Sequence, residues 1–272
     1  MNRLNLILVC LFCTTKLYSQ DAITESNYLK EDSILWINYG IQQKKLSQDW
    51  ESMPDKRDSI QNVYHEMYNR VSEENIKLAR KYASVPSGLQ RLYMTRLDID
   101  KDTLKNILSS LSIDMQESFY GKAIKEHLET KQIQEGDLIE TFPCFQIDGK
   151  QFDWNITNGK QLLMLYGGLG CMGESGRKEL ELLYNQTSDE DLLILVYWPC
   201  SSLENLQKLK EEYPSEYIFI SDFKQDASPM KIKYGTQATP TCFLTDKQHF
   251  VKVKCTGLHM ELFNKYINRT KM

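Results

Sequence analysis

The sequence has no block of basic residues, no apolar run long enough to span a bilayer, and few cysteines for its length. Lys and Arg number 33 against 37 Asp and Glu, a formal charge of −4 over 272 residues. Nucleic-acid partners demand clustered cations against phosphate, so that class is set aside. A bilayer-crossing helix needs about 20 apolar residues. The longest apolar stretch, over residues 4–13 and broken by Asn5, is half of that. Seven cysteines are too few for a disulfide scaffold of this size. No repeat of fixed period appears. What is present is a globular composition, 41% hydrophobic and 26% charged. The chain is long enough for two domains that each bury a core without metal or disulfide staples.

The first residues predict an export signal peptide over 1–19. Arg3 supplies the positive start, residues 4–13 the apolar region, and Ser19 the small residue at the cleavage point, with Gln20 or Asp21 opening the mature chain. Val9 and Phe12 stand before Cys10 and Cys13 where a lipidation signal carries small residues, so a lipid anchor is not expected. Cleavage takes Arg3 and Lys16 and no acid, which makes the mature chain two charges more acidic than the −4 of the whole. It also leaves no membrane span. The expected destination is the periplasm or cell envelope, where disulfides persist. Five cysteines remain there: Cys144, Cys171, Cys200, Cys242 and Cys255. Five is odd, so at least one is free or bonded to another molecule.

Two periodicities divide the mature chain. From residue 20 to 135 the pattern is helical, with Ile60, Val63, Tyr64, Met67 and Val71 at spacings of three and four. Pro86 ends that run. Ser87 is expected to cap the next helix and Asp102 the one after it, and a last helix covers about 119–131. His65 and His127 fall within these helices and read as surface or satisfied positions rather than metal ligands. From 136 to 272 short apolar runs alternate with helices. A hairpin turns at Asp148-Gly149, and 162–166 and 192–197 are buried strands. A helix runs from about Cys171 to Asn185, and a closing hairpin pairs 241–245 with 250–254. Alternation of this kind predicts an α/β domain whose sheet has parallel central strands covered on both faces.

Four segments, in this order and at this spacing, resemble the thioredoxin-like proteins of the TlpA/ResA type in the redoxin superfamily. They are Gly136-Asp137 through Phe142-Pro143; Gly159-Lys160 before the strand ending at Tyr166; Cys171 at the first position of the C-x-x-C motif; and Thr239-Pro240-Thr241, where the family has its cis-proline loop. The helical half is similar to the accessory segment that precedes such domains in exported proteins of Bacteroidetes type. The resemblance implies a thioredoxin-like fold, a central mixed sheet flanked by helices and preceded by an all-α region. It also implies thiol–disulfide chemistry on client proteins, with Cys171 as nucleophile. Pro240 would then shape the client groove and Thr239 offer its backbone to an extended chain. No cofactor or metal is implied. Partners would be client proteins or a small thiol, joined through a mixed disulfide, with the redox partner left open.

The motif is degenerate. Its second cysteine is Glu174, and the family's aromatic-rich F-W-A-S-W run before the first cysteine stands here as Tyr166-Gly167-Gly168-Leu169-Gly170. A thiolate at a helix start forms the mixed disulfide and a second thiol one turn on releases it. Glu174 suits the helix dipole but opposes a thiolate and cannot release anything. Three readings of Cys171 follow: a relic in a fold kept as a catalytically inactive binding or scaffold protein, a monothiol, or a thiol resolved by another cysteine, with Cys200 the best placed after its strand. Cys144, Cys242 and Cys255 read as structural residues, and a Cys242–Cys255 bond requires a favourable register. Other chemistries lack their residues. No P-x-x-x-T-x-x-C loop positions a peroxide, the glycine run lacks the Gly-Lys-Ser/Thr ending of a phosphate loop, and His249, His259, Cys242 and Cys255 are not spaced as zinc ligands.

Overall fold

The computed structural model describes residues 22–267, so the signal segment expected over 1–19 lies outside it. Within these residues no helix is long and apolar enough to cross a membrane. Contacts divide the chain into two units after Gly88.

The first unit is a helical hairpin of α1 (Glu25–Ser52) and α2 (Arg57–Lys81). The Thr24 side chain accepts from the Asn27 backbone and starts α1, while Pro54 occupies the turn between the helices. The helices run antiparallel. Tyr28, early in α1, packs against Leu78, Tyr82 and Val85 at the far end of the hairpin, and Gln42 meets Arg70 halfway, at 2.9 Å. Glu31 binds Lys81 Nζ at 2.7 Å and accepts from Tyr82 Oη at 2.6 Å. Ser87 does not cap the next helix as the sequence suggests. Pro86 takes the first helical position, as proline favours, and the Ser87 hydroxyl donates to the Glu25 carboxylate.

The second unit begins within α3 (Pro86–Met94) and continues through α4 (Lys101–Ser110), α5 (Ile113–Glu117) and α6 (Phe119–Glu129). Asp100, rather than Asp102, caps α4 by accepting from Thr103 N at 2.8 Å. The change of periodicity near residue 136 marks the approach to the strands. The division by contacts lies earlier, because the helices from Leu89 onward bury their inner faces with the sheet unit. Tyr93 donates to the Asp226 carbonyl, and Arg96, fully buried, reaches Lys231 and Thr236.

Six strands form one sheet in the order β1-β4-β3-β2-β5-β6, where β1 is Phe145–Gln146, β2 Gln161–Tyr166, β3 Leu192–Tyr197, β4 Ile218–Ser221, β5 Thr241–Thr245 and β6 Val251–Thr256. β2, β3 and β4 are parallel neighbours, and β1, β5 and β6 run antiparallel to theirs. The parallel strands need crossovers, supplied by α7 (Gly173–Asn185) and α8 (Leu203–Glu212). After α9 (Pro229–Ile232), the hairpin of β5 and β6 and the short α10 (Met260–Phe263) close the chain. A βαβ unit followed by an antiparallel hairpin and a helix, with β3-β2-β5-β6 adjacent, is a thioredoxin-like fold. Side chains alternate across the pleat. Leu163 and Leu165 face a core that includes Leu180, Leu206 and Phe263, while Leu162, Met164 and Tyr166 face a second that includes Ile133, Phe142, Met230 and Tyr234. Both faces of β2 are therefore apolar, which is why 162–166 carries no polar alternation.

His127 in α6 is buried, with Gln132 Nε2 donating to its Nδ1 at 3.1 Å. Burial, aided by the charges of Arg96 and Lys101, lowers its pKa to about 4. The unfolded chain therefore takes up this proton near pH 6.5 while the folded one refuses it until near pH 4, so stability falls as pH drops through that window. Urea unfolding should show wild type losing about 2–3 kcal/mol more than His127→Gln between pH 7 and 4.5. Equal pH dependence in the two proteins would refute this.

Candidate functional site

β2 delivers the chain to the site. Beyond Tyr166 the backbone leaves the sheet through Gly167 and Gly168, both at positive φ (59° and 89°), and returns as α7. These glycines are required by close approach rather than by loop flexibility. A Cβ on Gly168 would stand 2.4–2.6 Å from Pro240 Cβ, N and Cα, and one on Gly167 would stand 3.0 Å from Thr239 Cγ2. The glycine run is thus shaped to the 239–240 turn, whose Thr239–Pro240 peptide is cis.

Cys171 is exposed, and its Sγ lies 3.5 Å from Thr239 Oγ1. Three residues that the sequence singles out are brought together here: Cys171 and Thr239 in contact, and Pro240 buried against Gly168 beneath them. The helix does not start at Cys171, as its pattern suggests. Gly173 has a φ of 67° and is the first residue of α7, so Cys171 occupies a turn two residues ahead of it. Met172 stands at the cap position with no side-chain cap hydrogen bond. Glu174, in the first turn, points its carboxylate along the outer face to Lys178 Nζ at 2.6 Å; both side chains are more than two-thirds exposed. It neither resolves a mixed disulfide nor contacts the Cys171–Thr239 pair.

The other cysteines are free thiols as well. Cys200 is buried, and its Sγ donates towards Ser202 O and Ser221 Oγ, both at 3.4 Å. It therefore points among the serines behind β3, and Ser202 doubles as the cap of α8. Cys144 is fully buried, and burial pushes its thiol up to about 12. Cys242 and Cys255 face each other across β5 and β6.

The residues that hold the 239–240 turn in place went unrecognised in the sequence. Arg96 donates to Gln237 Oε1 at 2.8 Å and to Lys231 O at 2.5 Å, with Tyr93 stacked on its guanidinium at 4.1 Å. Lys231, also buried, lies 3.6 Å from Asp226. The Gly257 amide donates to Pro240 O at 2.8 Å and fixes the turn from its other side. On the flank of Cys171, Tyr213 lies against Gly170, and the Arg177 guanidinium sits over its ring at 5.5 Å while donating to Leu169 O. A cavity of about 460 Å³ opens beyond Tyr213, rimmed by Glu181, Glu212 and Glu216; Cys171 does not line it. Among the described residues no group of His, Cys, Asp and Glu could hold a metal ion.

The fold and this site define a thioredoxin-fold protein with one exposed cysteine at its motif position. No protein-family model matches the sequence, and no curated protein matches it either. Solved structures do resemble it. One is the thioredoxin domain of a thiol-disulfide oxidoreductase from Bacteroides vulgatus, 20% identical, covering 50% of this chain and 100% of that one, with a TM-score of 0.44. Another is a thiol:disulfide interchange protein from Bacteroides sp., 20% identical over 51% of this chain and 93% of that one, at 0.42. A third is a thioredoxin-like protein from Bacteroides caccae, 15% identical over 79% of this chain and 85% of that one, at 0.42. The fold assignment itself stands on the strand order and the 239–240 turn.

Because the Gly168 site would be overfilled by backbone atoms of Pro240, Gly168→Ala should lower stability by at least about 2 kcal/mol. Gly136→Ala, at φ 86° with nothing within 4 Å of the added carbon, shares the backbone penalty without the collision. A melting temperature for Gly168→Ala equal to that of Gly136→Ala would show that the approach to Pro240 is not a constraint.

Proposed function

We propose that this is an exported thioredoxin-like protein that acts on the disulfides of client proteins through Cys171 alone. The observation that carries the proposal is the exposed Cys171 sulfur against Thr239 beside Pro240, with the second motif position given to a glutamate turned towards Lys178. In the step envisaged, the Cys171 thiolate attacks a client disulfide. A Cys171–client S–S bond forms, the client bond breaks, and the departing thiolate takes up the proton Cys171 released. Release needs a thiol from outside the motif. A small thiol serves: it attacks the client's sulfur, returns Cys171 as the thiolate and leaves the client with a mixed disulfide. The exposed Thr239 backbone offers an extended client somewhere to pair.

A second reading is favoured by the second motif position, where Glu174 pairs with Lys178 on the solvent side and supplies no resolving thiol. On that reading the fold is a non-catalytic scaffold of the cell envelope. The two are separated by trapping. Wild type should capture disulfide-linked clients from an envelope extract, and Cys171→Ser should capture none. Insulin reduction by wild type should be weak, and Glu174→Cys, which restores a resolving thiol, should raise it by about tenfold or more. Adduct yields equal in wild type and Cys171→Ser would leave only the scaffold. Export is proposed from residues 1–19 and is checked by N-terminal sequencing of protein recovered from the envelope.

A further inference from the structure

The β5–β6 hairpin carries two thiols that the Cys171 site does not use. Cys242 and Cys255 are direct partners in the antiparallel register. Directly opposite residues in such a pair have Cα atoms about 4.5–5.5 Å apart, within the span of about 4.4–6.8 Å that a disulfide bridges. Their side chains also share a face. Cys242 belongs to the core under α7, α8 and α10, and Cys255 packs against that same core. The arrangement depends on the irregularity between Leu244 and Thr245, which shifts the ladder by one residue. Without that shift Cys242 would oppose Lys254, and Cys255 would project from the other face.

We propose that Cys242 and Cys255 form a second thiol-redox centre, a dithiol that a small disulfide of the glutathione type oxidises to a cross-strand bond without the help of Cys171.

The two sulfurs are unequal in a way that sets the order of events. Cys242 is fully buried, whereas Cys255 is partly exposed and faces the 257–259 segment, its sulfur 3.7 Å from Gly257 O. Cys255 beside it, and burial, push the Cys242 thiol up, whereas Cys242 and then His259 hold the Cys255 thiol below its ordinary value. Cys255 is therefore the attacking thiolate. It attacks one sulfur of the small disulfide, forming a mixed disulfide and expelling one thiolate. Cys242 then gives up its proton, attacks the Cys255 sulfur and expels the second. The protein loses two electrons and two protons, and the oxidant becomes two small thiols. Cys255 is only partly exposed and Cys242 is fully buried, which favours a small oxidant over a client protein's disulfide.

The test uses the full mature chain, wild type and Cys171→Ser, in buffers of stepped oxidised-to-reduced glutathione ratio. Samples are acid-quenched, alkylated after unfolding, digested without reduction and weighed by mass spectrometry. The expected result is a linked pair of peptides holding Cys242 and Cys255 in both proteins, lost on treatment with dithiothreitol. Cys255→Ser should leave Cys242 entirely alkylated. Full alkylation of both cysteines at the most oxidising ratio would overturn the proposal, as would a glutathione adduct that persists on Cys255. A link seen in wild type but absent from Cys171→Ser would overturn its independence of Cys171. Because Cys171→Ser forms no client adducts of its own, this outcome is read separately from the trapping experiment.

Discussion

The buried guanidinium of Arg96 is the contact on which the architecture of the second unit turns. Removing such a cation from water is costly, and it is tolerated only when its donors find acceptors inside the protein. Here Nη1 and Nη2 find Tyr93 O, Lys231 O, Thr236 O and the Gln237 side chain at 2.5–3.4 Å, and the buried Nε alone is left without a partner among the described residues. All but Tyr93 lie within α9 or between it and the 239–240 turn. One side chain from the helical stretch thereby fixes the backbone that runs into Pro240, and Pro240 in turn sets how closely Gly168 must approach. Cys171 stands at the end of that chain of constraints. The helices after Leu89 are thus part of the scaffold of the site rather than a separate appendage.

Much of this was legible in the sequence. The runs 162–166 and 192–197 are β2 and β3 because strands buried on both faces need no polar alternation, and such runs stand out. Asp148-Gly149 marks the turn that joins Gln146 N to Lys150 O, because glycine takes the positive φ needed there. Boundaries were less legible. Ser87 and Asp102 are good caps by type, but Pro86 opens α3 one residue before Ser87, and Asp100 caps α4 two residues before Asp102. The onset of α7 was misplaced because a glycine at positive φ cannot be told from any other glycine by pattern.

What the sequence concealed was long-range. Arg96 sits between Thr95 and Leu97 and reads as a polar residue in a connector; only the three-dimensional set of carbonyls around it reveals that it is buried. Similarly, the spacing of Cys242 and Cys255 allows two registers, and a single irregularity in the ladder decides between them. The loss of the second motif cysteine, by contrast, was plain from the start. The structure gives it a physical form: the glutamate at that position is drawn to a lysine on the solvent side of α7, away from the sulfur.

Both margins of the sheet are closed to further strands. On one side β1 is only two residues long. On the other, the backbone of β6 is overlaid by the 134–139 segment: Gly136 N donates to Val251 O, Val251 N to Asp137 O, and the Glu135 carboxylate takes the amide of Lys254. An open strand is an invitation to edge-to-edge polymerisation, and short or covered edges withhold it. A sheet built this way offers little backbone for a second copy to pair with, even though its strands are some of the most apolar segments in the chain.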